Sequence, residues 1–143
     1  MPPILLAVRL AAGAAPDAAT LAWLRAGFEK FLHGDAPLHV SLRLTVGNRA
    51  AARNACLVRA AQILDAGRGL SAWHLAELVR QAVARFESVI APRIQRGDAG
   101  VLTPLDAALH DAFASGAVPL RSQHRIFFVL ASASRIESAA CRK

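Results

Sequence analysis

Arginine is the residue type in this chain with the clearest chemical potential. The net charge is +7, and nearly all the basic residues are arginines, with only Lys30 and Lys143 as lysines. A guanidinium presents a planar fork of N–H donors that matches phosphate or carboxylate oxygens two at a time. An arginine excess is therefore typical of surfaces that bind nucleic-acid phosphates. A GC-rich coding sequence, as in many bacteria and their phages, is the alternative cause.

The positive charge is concentrated in the middle of the chain. Residues 1–36 carry three basic and three acidic groups, residues 37–102 carry nine and four, and residues 103–143 carry five and three. The middle segment is thus the strongest candidate for contact with a polyanion.

Five arginines of this middle segment are opposed by a single acid, Asp65. Arg49 and Arg53 are four residues apart, so they share one face of a predicted helix over 49–64. The pattern predicts phosphate contacts from this group, and the alternative is a solvated face that keeps an apolar protein soluble. The five residues are Arg43, Arg49, Arg53, Arg59 and Arg68.

A second candidate nucleic-acid element is the hairpin over 105–131. It combines an apolar helix, a turn containing Gly116, and a second helix that opens with polar residues. This order is the outline of a helix-turn-helix, whose second helix enters the major groove. An ordinary αα-hairpin has the same pattern and remains open. The predicted contacts are Arg121, Gln123 and Arg125, with His124 as an accessory contact.

Residues for catalysis or metal binding form no recognisable pattern. The five histidines make no HExxH or other two-histidine spacing, and there is no GxSxG motif or candidate carboxylate pair. Cys56 and Cys141 form no CxxC motif, which favours a reduced, cytoplasmic protein. We therefore predict a non-enzyme with no cofactor and no metal site.

The elements that position the arginines are predicted to be helices around a long central one, residues 71–91. Ser71 is its expected N-cap, apolar residues recur at three- and four-residue steps along it, and Pro92 should end or kink it. Alanine and leucine are heavily used, which also favours helix. The fold class predicted is all-α, a single compact bundle of about five helices.

Three further helices have clear start signals. Asp17 precedes a helix over 18–33, Asn48 precedes the helix over 49–64, and Thr103 precedes a helix whose first residue is Pro104. The apolar side of the helix over 18–33 is expected to be buried in the bundle. Its members are Leu21, Leu24, Phe28, Phe31 and Leu32, with Trp23 beside them.

The segment 37–46 departs from the helical pattern, because apolar and polar residues alternate along it. Period two is a strand signal, but no second strand pairs with it. We expect an extended connector lying on the helices. A short helical turn, or an edge strand that pairs with another chain, are the alternatives.

The ends of the single domain, 1–143, are expected to be loosely ordered: an N-terminal arm over 1–16 and a tail over 136–143. The apolar run near the start partly resembles a signal peptide. However, Arg9 interrupts the run and no basic residue precedes it. Membrane association through a short interfacial helix here ranks last.

Two functions fit these observations. The first is a small basic helical protein that binds DNA or RNA, as a regulatory or accessory factor, through the helix 49–64 and the hairpin 105–131. The second is a non-catalytic interaction or structural module. It would join another protein or a second copy through an exposed apolar face or the segment 38–46.

Overall fold

In this computed structural model every regular element is helical. Residues 1–34, 36–98 and 100–140 are described, with side chains described up to residue 134. The all-α prediction is confirmed, and no strand occurs in these ranges. The elements are α1 Pro3–Ala11, α2 Ala18–His33, α3 Leu38–Ser41, α4 Val46–Asp65, α5 Ala72–Arg85, a π-helical segment π1 Phe86–Ile90, α6 Ala91–Gln95, α7 Pro104–Ala114 and α8 Gln123–Ala140.

Capping side chains set several helix starts as the sequence predicts. Asp17 accepts a hydrogen bond from the Thr20 amide, Ser71 from the His74 amide, and Thr103 from the Asp106 amide. Each cap satisfies a first-turn donor that has no partner within its helix. The start of α4 differs from prediction, because Thr45 is the cap and Asn48 lies inside the helix.

Of the two outcomes predicted from Pro92, an end or a kink, the end near Ala91 does not occur. The chain stays helical through Pro92 to Gln95, but the segment before the proline widens to π geometry. There the Ala91 amide donates to the Phe86 carbonyl, five residues back. Pro92 lacks an amide proton, and its ring would collide with the carbonyl of Ser88 in a regular α-helix. The wider turn accommodates the proline without ending the helix.

The core lies where α4, α5, α7 and α8 meet. The helix α4 packs most extensively on α7, and α5 packs most extensively on α8. Phe86 and Phe113 stack in this core with their ring centroids 5.1 Å apart. Small residues let α4 approach its neighbours closely, as its sequence predicts. The buried alanines of these helices are Ala52, Ala60, Ala61, Ala76, Ala108 and Ala112.

The predicted loose N-terminal arm contains a docked helix. Ile4, Leu5 and Leu6 of α1 are buried, and the helix packs on α4 and α7. Three of the apolar side chains that a membrane-surface helix would offer to lipid therefore lie inside the protein. At the other end the backbone is helical to Ala140, and residues 141–143, including Cys141, lie outside the described residues.

The predicted extended connector over 37–46 is wrong, and so is the edge-strand alternative. Leu38–Ser41 form one helical turn, α3, and α4 begins at Val46. Leu42 is buried against α2, where it approaches Gly27, and the Trp23 indole donates to the Leu42 carbonyl over 3.0 Å. The alternating sequence does not correspond to alternating burial, since Ser41 and Leu42 are both buried whereas Val40 and Val46 are exposed.

The prediction that the apolar side of α2 is buried is also wrong. This helix packs chiefly on α3, and none of its described residues belongs to the main core cluster. Its buried residues are Thr20 and Gly27. Its large apolar side chains remain open to solvent: Leu21 at 54%, Phe28 at 45%, Phe31 at 42% and Leu32 at 74% exposure. Amphipathic spacing identified the helix, but it did not identify what covers the helix.

Replacing Gly27 by alanine is expected to destabilise the protein by about 1 kcal/mol. Alanine favours helix over glycine by about 1 kcal/mol. However, a methyl group here would lie 3.1 Å from Leu42 Cγ and nearer still to Cδ2, and overpacking of that kind costs roughly 1–3 kcal/mol. Urea denaturation measures the difference.

Gly47→Ala is the matched control, because Gly47 lies in α4 with nothing within 4 Å of the added methyl group. It should stabilise the protein by about 0.5 kcal/mol. If both variants gain stability, the close packing of α2 on Leu42 is refuted.

Candidate functional site

Four of the eight predicted contact residues lie along α4 and the turn that precedes it. Arg43 has a backbone φ of +56°, which is uncommon for a residue with a side chain. The Asn48 side chain donates to the Arg43 carbonyl over 2.7 Å and holds this turn against the first turn of α4. Because α4 starts at Val46, the arginine-bearing helix is one turn longer at its N-terminus than predicted.

Arg49 and Arg53 both reach the connection between α7 and α8, residues 115–122. The Arg49 guanidinium lies against Gly116, with Nη1 3.7 Å from where a Cβ would stand on that glycine. Arg53 Nη1 donates to the Val118 carbonyl over 2.7 Å. The structure therefore brings together the two regions that the sequence nominated separately, the helix 49–64 and the hairpin 105–131.

Arg53 is anchored more firmly than Arg49. Its Nε and Nη2 donate to the Asn54 side-chain oxygen over 3.1 and 2.7 Å. Partial burial lowers the pKa of the Arg53 guanidinium, which nevertheless remains charged at neutral pH. Its position is fixed by neutral acceptors, so its charge is not cancelled by a carboxylate.

Besides Arg53, three predicted arginines have their guanidinium groups engaged within the fold. Arg121 Nη2 lies 2.6 Å from Glu87 Oε1, and its Nε also donates to that carboxylate. Arg59 Nη1 lies 3.8 Å from Asp111 Oδ2. Arg68 donates to the carbonyls of Leu64 and Asp65 at the C-terminal end of α4. A phosphate that bound one of these three guanidinium groups would therefore have to displace a carboxylate or the carbonyls at a helix end.

The hairpin of α7 and α8 differs from a helix-turn-helix in its geometry. Its connection has eight residues, 115–122, where the motif has three or four. The helix α8 packs mainly on α5 and α4. Gln123 donates to the Trp73 carbonyl over 3.2 Å, and His124 sits edge-on to Phe128, while Arg125 is exposed. Among the described residues α7 packs chiefly on α4 and α8 chiefly on α5, with little packing of α7 on α8, so an ordinary αα-hairpin does not describe the arrangement either.

The exposed apolar side chains of α2 form a second candidate surface, which sequence reasoning placed in the core. We call Leu21, Leu24, Phe28, Phe31 and Leu32 the α2 stripe. Leu24 is half-buried and the other four are exposed. The sequence signal for this surface is the spacing of its residues, since apolar residues at three- and four-residue steps line one side of a helix and can pack against another helix. Whether this seam faces its own core depends on contacts far along the chain.

Two titratable side chains, Cys56 and Asp106, are buried among the described residues. Among the described residues, no group of three or more His, Cys, Asp or Glu side chains is placed to hold a metal ion. Burial raises the pKa of the Cys56 thiol, which disfavours the nucleophilic thiolate. Asp106, the buried carboxylate, accepts from the Thr103 hydroxyl over 2.8 Å and pairs with Arg85 at 3.3 Å.

Comparisons with protein-family models, with curated proteins and with solved structures found no match. Among the described helices, none is both long enough and apolar enough to cross a membrane.

Substituting Arg53 by methionine should loosen the connection 115–122. Methionine keeps most of the aliphatic contact but removes the donors to Val118 and Asn54. A net loss of about 1 kcal/mol is expected, because the Val118 bond lies at the surface. Hydrogen exchange of the Gly116 and Ala117 amides, which donate to the Phe113 carbonyl and the Ser115 hydroxyl, should accelerate. Arg125→Met, at an exposed arginine, is the control, and equal exchange in both variants would refute the anchoring role.

Proposed function

We propose that this chain is a non-catalytic interaction module that pairs with a second copy of itself through the α2 stripe. The observation that supports this is the exposure of four large apolar side chains on one side of one helix. Isolated exposed apolar residues are ordinary on protein surfaces, whereas a contiguous apolar patch marks an interface.

The α2 stripe is self-complementary in an antiparallel pairing. Leu21, Leu24, Phe28 and Phe31 follow steps of three, four and three residues, the spacing of a coiled-coil seam. A two-fold axis near residue 26 would place Leu21 opposite Phe31 and Leu24 opposite Phe28. A larger side chain would then face a smaller one at each level, and the same patch would serve both copies.

The size of the α2 stripe sets the expected strength of pairing. The helix has 16 residues, which corresponds to a length of about 24 Å. Patches on monomers reach about 300–600 Å², below the ~800 Å² per partner that stable complexes bury. Pairing through α2 should therefore be weak and reversible, with a dissociation constant in the micromolar range.

Light scattering after size exclusion, from roughly 10 to 500 µM protein, should show mass rising with concentration. Phe28→Glu should hold the chain as a monomer across this range, because two carboxylates would be buried in the seam without partners. Phe128→Glu is the matched control, an exposed phenylalanine on α8 at 52% exposure. A wild-type protein that stays monomeric at the highest concentration would refute the proposal.

A second proposed function is nucleic-acid binding through Arg43, Arg49 and Arg53, which we call the α4 basic edge. Among the described residues none of these three forms an ion pair, in contrast to Arg59 and Arg121. Unpaired guanidinium groups can exchange bound counterions for phosphates at the lowest cost. Arg121, Arg68, Arg59, Gln123 and Arg125 would be secondary contacts.

Binding to duplex DNA and to single-stranded RNA should weaken as salt rises. In Arg43→Gln/Arg49→Gln, the slope of log affinity against log salt should fall by about 2 for duplex DNA, since each lost phosphate contact removes about 0.9. Arg25→Gln on α2 is the control, since Arg25 pairs with Glu29 at 3.1 Å. An affinity that does not change with salt would exclude this function.

A further inference from the structure

A small cavity opens between α2 and the α3–α4 turn. It has a volume of about 130 Å³ and is lined by Trp23, Ala26, Gly27, Lys30, Ser41 and Arg43. Two of these six residues are cations, one is an indole and one is a hydroxyl. This composition differs from the other cavities described, whose walls are mainly alanine, leucine and valine or an existing ion pair.

Ser41 is the unusual member of this wall. The residue is 8% exposed, and its Oγ is enclosed and has no hydrogen-bond partner. Among described residues it is the only buried side-chain oxygen or nitrogen in that condition. An unsatisfied buried hydroxyl costs stability, so it needs an explanation. Because the Oγ is closed to solvent in the free chain, a ligand that widened the cavity against Ser41 would supply the missing acceptor.

The two cations of the cavity are available for a ligand. Among described groups, no carboxylate lies within ion-pair distance of Lys30 or Arg43. The described carboxylate next to Lys30 in sequence, Glu29, pairs with Arg25. Arg43 is also held at a positive φ, an arrangement that costs energy in a residue with a Cβ. The Asn48 bond to its carbonyl maintains that arrangement.

We propose that this cavity binds a phosphate group, with Lys30 and Arg43 supplying charge and the Ser41 hydroxyl supplying a directed donor. A tetrahedral oxyanion has enough acceptors to satisfy all three groups at once. Trp23 closes one wall and is itself fixed, because its indole N–H is bound to Leu42. This proposal is independent of pairing through α2, and the phosphate could be free or part of a nucleic-acid backbone.

The fluorescence of Trp23, which lines the cavity, can report phosphate binding. In a Trp73→Phe background, which leaves Trp23 as the single tryptophan, the chain is titrated with inorganic phosphate at constant ionic strength set with NaCl. A saturable fluorescence change in the millimolar range or tighter is expected. Absence of a saturable change would overturn the proposal.

Two variants separate binding from folding. Ser41→Ala should weaken phosphate binding at least fivefold while leaving the melting temperature equal or higher, because it removes an unsatisfied buried group. Arg43→Gly should weaken binding about tenfold and also raise the melting temperature, because glycine adopts a positive φ without strain. Phosphate affinity unchanged in both variants would overturn the site.

Matched substitutions control for general effects. Ser132→Ala removes a helix serine whose hydroxyl is satisfied by the Phe128 carbonyl, and Arg25→Gln removes a cation outside the cavity. Both should bind phosphate as the parent does, and an equal loss in them would overturn the site. Addition of a single-stranded oligonucleotide distinguishes the sources: competition with phosphate assigns a backbone phosphate, and lack of competition assigns a free phosphate.

Discussion

The close approach of α4 to its neighbours is the constraint on which the rest of this structure depends. Alanines occupy the contact positions of α4, and alanines of α5 and α7 face the same core. Small side chains bring helix axes together and give dense packing with little loss of side-chain entropy. The use of small side chains at these positions also limits the apolar area that each helix can bury. Larger groups such as Phe86, Leu109 and Ile126 therefore fill the spaces between the alanine contacts.

The core formed by α4, α5, α7 and α8 contains no described residue of α2. The helix carries several of the largest apolar side chains in the chain, yet its neighbour α3 is a single turn that covers only the side containing Gly27. The remaining apolar side chains of α2 face solvent although they have the spacing of a buried seam. A surface with the pattern of an interior is the physical basis for proposing that a second copy covers it.

The sequence predicted what depends on short-range physics. Asp17, Ser71 and Thr103 were recognised because a capping side chain and the amide it satisfies lie three residues apart. Two predictions failed for a related reason. The alternation over 37–46 predicted extended backbone, and the spacing of α2 predicted a buried helix face. A periodic pattern shows which side of an element is apolar, but it does not show what packs against that side. Only tertiary contacts distinguish a core from an interface.

The candidate arginine sites show the same division between what local sequence predicts and what tertiary contacts decide. Residue type identifies the arginines as charged groups, whereas their ion-pair partners come from distant segments of the chain. Glu87 of π1 pairs with Arg121, which lies 34 residues later in the connection before α8. Asp111 of α7 meets Arg59 because α4 and α7 are packed closely. Among the described residues, Arg43, Arg49 and Arg53 near the start of α4 form no ion pair, and neither do Arg68, Arg93, Arg96 and Arg125 elsewhere. The first three are distinguished by their position, since Arg43 lines the cavity that is also lined by Ser41, the residue with the unpaired hydroxyl, and Arg49 and Arg53 reach the connection 115–122.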